Sequence, residues 1–180
     1  TPAARREGEW LVGHGMAASA RSNQLQESQA RVSIGADGRA TVETDMTDIG
    51  TGTYTILAQI TGELLGLRPE WIDVRLGDTD TPPGAGSGGS WGASSSGSSV
   101  YLACEALRAK IAAAMGCTEE ELTLKDGRAI AQNRSVPLSS LVGEGLSAEG
   151  TIKPGKLEEE RRQASYGAHF CEVRVNAVTG

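Results

Sequence analysis

Two stretches of the chain carry residue types suited to holding a ligand rather than to building a core. They are Asp48-Ile49-Gly50-Thr51-Gly52-Thr53-Tyr54-Thr55 and Gly84-Ala85-Gly86-Ser87-Gly88-Gly89-Ser90-Trp91-Gly92-Ala93-Ser94-Ser95. Glycine lets a ligand approach the backbone amides, and serine and threonine add hydroxyl donors. Each stretch runs into a helical pattern, and a helix N-terminus presents unpaired amides with a partial positive charge. Two such termini suit the two ends of one anionic cofactor. The alternative is that the glycines only permit tight turns or close helix packing. Five glycines between Gly84 and Gly92 weigh against that alternative for the second stretch.

Neither stretch matches a nucleotide signature. No Lys-Ser or Lys-Thr closes a phosphate loop, and Gly84 to Gly89 holds only the first two glycines of GxGxxG and follows Pro82-Pro83 rather than a strand. Gly88-Gly89-Ser90-Trp91-Gly92 does satisfy GxSxG, and Asp126 and His169 follow Ser90 in the order of a serine hydrolase. That elbow requires an apolar strand directly before the serine. Here Thr79 to Ser87 is proline, glycine and small polar residues, which argues against a hydrolase.

The elements that position these loops follow from periodicity. Ala30 to Ile34 and Ala40 to Thr44 alternate around the turn signal Gly35-Ala36-Asp37-Gly38-Arg39, a β-hairpin. Ile56, Leu57, Ile60, Leu64 and Leu65 share one face of a helix over 53–65, ended by Gly66 and Pro69. Trp71 to Leu76 alternates as a strand. The second helix is expected to be capped at Ser94 or Ser95 and to run to Met115, with Val100, Ala103, Cys104, Leu107, Ile111 and Met115 on one face. Thr118 and Glu121 have capping-box spacing. Lys125-Asp126-Gly127-Arg128 is the turn of a second hairpin. A brief helix is expected over Val136 to Val142. Gly8 to Ala20 and Tyr166 to Val175 read as strands. His14, between Gly13 and Gly15, reads as a strand histidine bonded to a carbonyl, with a ligand or catalytic role as the alternative.

Composition narrows the classes. A net charge of −6 without a basic stripe argues against a nucleic-acid partner. No apolar run approaches the ~20 residues that span a bilayer as a helix, so no membrane partner is expected. The three cysteines, Cys104, Cys117 and Cys171, are widely spaced and odd in number, which speaks against a disulfide framework or a self-contained metal site. A chain starting at Thr1-Pro2 reads as trimmed or excised, and a final strand and turn without a following partner strand suggest a fragment.

The order and spacing of four stretches resemble the molybdenum-binding large subunit of the xanthine dehydrogenase and aldehyde oxidase family, closest to the bacterial aldehyde oxidoreductase branch. These are Thr44 to Thr53, Glu63-Leu64-Leu65-Gly66-Leu67, Gly86 to Ser95, and Tyr166-Gly167-Ala168-His169-Phe170-Cys171-Glu172-Val173. The resemblance covers nearly the whole chain. It implies residues 1–180 as a fragment of the molybdopterin-binding C-terminal region, without a second domain. The implied fold class is α+β: a mixed or antiparallel sheet with β-hairpins packed on two main helices, part of a larger molybdopterin-binding domain.

By that resemblance, the cofactor is molybdopterin, often carrying a second nucleotide. Gly50, Thr51, Gly52 and Thr53 form the first contact loop, with Thr51 where the family commonly has glutamine. Gly88 and Gly89 match a small pair that leaves room for substrate, and Ser90 matches a cofactor-bonding serine. Gly92, Ala93 and Ser94 continue the cradle. Trp91 either packs beneath the loop with its N–H bonded or lines the pocket. The implied reaction is hydroxylation of aldehydes or N-heterocycles with water-derived oxygen, with a glutamate as general base. Electrons leave through iron–sulfur clusters, often to FAD, on other domains or subunits. The implied partners are the remainder of the large subunit, an iron–sulfur subunit and an FAD subunit. The family's base motif is absent from this chain, and Glu63 and Glu172 are not substitutes, so no catalytic residue is assigned. The resemblance leaves the compartment open between cytoplasm and periplasm. A competing expectation of another class is a stand-alone module that binds an anionic ligand or a protein and has no redox activity.

Overall fold

The structure, a computed structural model, describes residues 4–180; Thr1 and Pro2 lie outside them. In chain order the elements are β1 (Arg5–Glu7), β2 (Trp10–Ser22), β3 (Ser28–Gly35), β4 (Ala40–Thr44), α1 (Thr53–Leu65), β5 (Ile72–Leu76), α2 (Gly92–Met115), β6 (Thr123–Lys125), β7 (Arg128–Ala131), β8 (Arg134–Pro137), β9 (Gly145–Ile152), α3 (Leu157–Glu160) and β10 (Ala164–Asn176). The fold class is α+β. Contacts divide the chain into two units, one made of the segment up to Asn23 with Leu157–Gly180, the other of Gln24–Lys156.

The second unit holds both glycine-rich stretches. Its main sheet has the order β5-β4-β3-β9. β3 and β4 form the expected hairpin, with Val32 opposite Val42. Strict alternation puts Ala30, Val32, Ile34, Ala40 and Val42 on one buried face. There they meet Leu57 and Leu65 of α1 and Val100, Cys104, Leu107 and Ile111 of α2. Each of these large side chains contributes roughly 1.5–3 kcal/mol by leaving water. The opposite face carries a ladder of charge across four strands. Arg31 pairs with Glu149 of β9 at 2.8 Å and with Glu43 of β4 at 3.8 Å, and Glu43 meets Arg75 of β5 at 4.0 Å.

β4 and β5 run parallel, in register from Ala40 beside Ile72 to Thr44 beside Leu76, and α1 is the crossover between them. Gly66, in the left-handed conformation (φ 63°), ends α1 as expected. Trp71 falls in a 3-10 turn over Pro69–Trp71, so the strand starts one residue later, at Ile72.

Three expectations are corrected. The strand near the N-terminus is shifted to Trp10–Ser22. The brief helix over 136–142 shrinks to a 3-10 turn at Leu138–Ser140, because Val136 pairs with Ala129 in the sheet β6-β7-β8. And α2 starts at Gly92, ahead of Ser94 and Ser95, with Trp91 at the N-cap and no side chain capping it. The Ser95 hydroxyl is turned instead to the Gln26 amide, which donates to it at 2.9 Å. Beside it, Ser28 bonds Ser96 at 3.1 Å and Ser99 at 3.2 Å, all three fully buried. These short hydroxyls pin α2 to the start of β3.

β9 has no counterpart among the expected elements. It pairs antiparallel with β3 along its whole length, Ala148 opposite Val32. Its Gly150 lies against α2 so closely that a Cβ there would be 2.1 Å from the Ser99 carbonyl oxygen and 2.5 Å from the Ala103 nitrogen. Thr118 and Glu121 do form their capping-box bonds, the Thr118 amide reaching Glu121 Oε2 at 3.0 Å and the Glu121 amide reaching the Thr118 hydroxyl at 3.3 Å. They close only a turn.

In the first unit β2 lies between β1 and β10. His14 faces Glu172 across the β2–β10 pair with Nε2 2.9 Å from Oε2, so its partner is a carboxylate rather than the expected carbonyl. Glu172 is also bonded by Arg174 at 2.7 Å. That bond comes first in holding the Glu172 carboxyl below its ordinary pKa. Met16, Tyr166 and Phe170 are exposed on this ribbon.

Candidate functional site

Both glycine stretches leave the carboxyl ends of adjacent parallel strands, β4 and β5, and each feeds a helix. In sheets with parallel strands this end is where ligands collect, because the following loops and helix N-termini converge there. The residues just after β4 stitch the two loops together. The Asp45 amide donates to the Pro82 carbonyl at 2.9 Å, and the Asp45 carboxylate accepts from the Gly84 amide. Thr47 and Ser87 hydroxyls bond each other at 3.1 Å. Met46 is buried between the loops: a Cβ on Gly84 would be 2.9 Å from its Cβ, and one on Gly92 would be 2.3 Å from its Cε.

The first loop is organised by a carboxylate of this chain. The amides of Gly50 and Thr51 each donate to Asp48 Oδ1 at 2.8 Å, and the Tyr54 amide reaches Oδ2 at 3.4 Å. The Thr51 hydroxyl is 3.3 Å from the same Oδ1 and 3.0 Å from the Thr53 hydroxyl. Partial desolvation pulls the Asp48 pKa up, but amide bonds from Gly50, Tyr54, Thr51 and Gly52 outweigh it and hold the carboxyl below its ordinary value. Gly50 and Gly52 are required by backbone conformation (φ 97° and 78°), and open space lies where their Cβ atoms would be. Thr53 is buried, so of the four expected contact residues only Gly50, Thr51 and Gly52 face outward.

The second loop is organised by Trp91. Its indole N–H donates to the Ala85 carbonyl at 3.0 Å, the bonded alternative of the two expected for it. The ring lies on the Gly88-Gly89 pair: a Cβ on Gly89 would be 1.8 Å from the indole and one on Gly88 3.0 Å. In this chain the space left by those two small residues is taken by Trp91. Ser90 is exposed, adopts φ 58°, and its hydroxyl has no partner among the described residues. No strand lies between Leu76 and Gly92, so the GxSxG pattern is not on a hydrolase elbow.

The start of α2 differs from that of α1. The first intrahelical bond runs from the Ser95 amide to the Trp91 carbonyl at 2.8 Å. The amides of Gly92, Ala93 and Ser94 therefore precede the helical ladder, and among the described residues no side chain accepts from them. The Ser94 hydroxyl is spent on the Trp91 carbonyl at 2.9 Å, leaving the exposed Ala93 and Ser94 backbone and the Ser90 hydroxyl as the open donors. Donors to which no side chain is bonded among the described residues suit an oxygen-rich anionic group.

Asp48 organises the first loop, and the sequence alone assigns it no role. The signal was an acidic residue shortly before a Gly-x-Gly helix start, where a carboxylate is electrostatically favoured. Glu63 is exposed on α1, outside both loops, and Glu172 belongs to the ribbon of the first unit.

A model of the molybdopterin cofactor-binding domain matches residues 1–180. The chain is 50% identical over 181 residues to the aldehyde oxidoreductase molybdenum-binding subunit PaoC of Escherichia coli K12, covering all of this chain and 25% of that protein. It is similar in fold to quinoline 2-oxidoreductase of Pseudomonas putida 86, with a TM-score of 0.73 and 20% identity over 95% of this chain and 25% of the other. Aldehyde oxidoreductase of Desulfovibrio gigas gives a TM-score of 0.60 and 23% identity over 97% of this chain and 19% of the other. The chain thus spans about a quarter of the length of curated relatives such as PaoC.

Proposed function

Because the chain belongs to the molybdopterin cofactor-binding domain family, we propose that its two loops form one wall of the cofactor site in the large subunit of a molybdenum hydroxylase. The observation that carries this reading is the pair of parallel strands, β4 and β5, whose carboxyl ends present both loops side by side, with the opening amides of α2 unpaired. The residues fit the group in kind. Ser90 supplies a hydroxyl, the Ala93 and Ser94 amides supply donors for phosphate oxygens, and Gly50, Thr51 and Gly52 supply open backbone. Gly88, Gly89, Trp91 and Gly92 act one step back: the indole on the glycine pair and Met46 against Gly92 hold the donor-bearing backbone in place.

When bound, the cofactor supplies the two-electron redox chemistry of hydroxylating an aldehyde or N-heterocycle with water-derived oxygen. This chain's residues bind and orient it, and none of them moves the substrate proton. The general base, most of the substrate pocket, and the iron–sulfur and FAD subunits that carry electrons away belong to the rest of the assembly. The chain by itself is inactive.

Ser90→Trp in the complete protein tests the site. It replaces the open hydroxyl with a bulky ring and is expected to abolish molybdopterin occupancy, measured as metal and pterin content. Full occupancy with normal activity would overturn the assignment.

A further inference from the structure

Two helices start at the same end of the sheet, and among the described residues a side-chain carboxylate accepts from the amides at only one of them. At α2 the amides of Gly92, Ala93 and Ser94 have no acceptor among the described residues. At α1 the corresponding positive end is covered by Asp48, whose two oxygens take the amides of Gly50, Thr51 and Tyr54 and the Thr51 hydroxyl. A carboxylate in that position acts in part as a bound phosphate would, accepting from two amides ahead of the helix and one in its first turn and offsetting the helix dipole, while the Thr53 and Thr55 amides have no acceptor among the described residues. A second anion arriving there would meet a like charge and find the Gly50, Thr51 and Tyr54 amides already taken.

We propose that Asp48 is a positioning residue that closes the α1 terminus to anions, so that the first loop meets an uncharged, hydrogen-bond-donating part of the cofactor. This rests on the molybdopterin reading above. It divides the work between the loops. The Asp48-held loop presents the part-exposed carboxylate itself as an acceptor. The Ser90–Ser94 turn takes the phosphate. Asp48 acts through Gly50 and Thr51, whose outward geometry it fixes.

The test is hydrogen exchange of the segment spanning Gly50–Tyr54 in the complete protein purified without cofactor, with and without millimolar inorganic phosphate. In the unaltered protein phosphate leaves this segment unchanged. In Asp48→Ala the freed amides accept phosphate, and exchange slows by about twofold to fivefold, the range expected for an anion at a helix start. Asp48→Asn keeps the oxygen that holds the Gly50 and Thr51 amides, so it preserves the loop should the alanine variant not fold; it removes the like charge and frees the Tyr54 amide, and it gains a smaller phosphate response. Phosphate protection in the unaltered protein, or none in either variant, overturns the proposal. A residue serving only to stabilise the loop would produce no phosphate response in any form. The outcome is separable from the cofactor assignment. Loss of occupancy in Ser90→Trp together with phosphate protection of the unaltered loop refutes Asp48 gating alone. Retained occupancy together with the predicted phosphate responses refutes the cofactor assignment alone.

Discussion

The Trp91 indole lies against Gly89 so closely that a single methyl on Gly89 would sit 1.8 Å from the ring, while the indole N–H is held by the Ala85 carbonyl at 3.0 Å. The second loop is therefore a folded object with its own small core. Its glycines are spent on admitting an aromatic ring, and the donors it offers outward are arranged by that ring.

Gly89→Ala follows directly from this contact. The substitution forces the indole out of place and puts alanine at φ 44°. It should cost about 1–3 kcal/mol, read as a lowered midpoint in denaturant and an altered Trp91 fluorescence. Trp91→Phe removes the N–H bond and should cost about 0.5–1.5 kcal/mol. An unchanged midpoint for Gly89→Ala would show that the ring does not occupy this position.

Asp48 makes the fold sensitive to acid. Its carboxyl is held below its ordinary pKa of 3.8 by the loop amides. A depressed folded value means that the stabilising contribution is fully present above the unfolded value and is lost as pH falls from there through the folded one. Asp48→Asn should flatten the stability-against-pH curve in that window below 3.8 and leave its slope near neutrality unchanged. Thermal melts at stepped pH measure this, and identical acid limbs for the two proteins would contradict it.

The cysteines should separate by reactivity. Burial pushes the Cys104 thiol up to about 12, and it is sealed among the core residues of α2. Cys171 is exposed on β10. A thiol reagent at neutral pH should modify Cys171 rapidly and Cys104 only after denaturant is added, because the thiolate is the reacting form. Mass spectrometry of digested protein distinguishes them, and native-state labelling of Cys104 would contradict the packing of α2.

Several parts of this arrangement were legible in the residues. The hairpin from Ala30 to Thr44 was readable because one face is strictly apolar, and helix 53–65 because its stripe ends at Gly66. What escaped depends on contacts distant in the chain. β9 was hidden because Gly150 carries no side chain to signal a strand, and it carries none because α2 presses on it. The α2 start was misplaced because Ser94 and Ser95 look like caps, whereas Ser95 faces the Gln26 amide. Gly88 and Gly89 read as room for a ligand because nothing local says that Trp91 folds back over them. Asp48 precedes the glycines it controls, and only the folded loop shows which amides it takes.

If the open amides at the start of α2 hold the anionic part of a molybdopterin cofactor, Ala93→Asp in the complete protein should expel it. An acidic residue in the first turn favours the helix itself, by about 0.3–1 kcal/mol, so the fold should be at least as stable as before. The same carboxylate competes for the amides and repels phosphate. The melting temperature is expected to stay unchanged or rise, while molybdenum and pterin are lost from the purified protein. Full cofactor content in a stably folded Ala93→Asp protein would contradict the assignment of these amides.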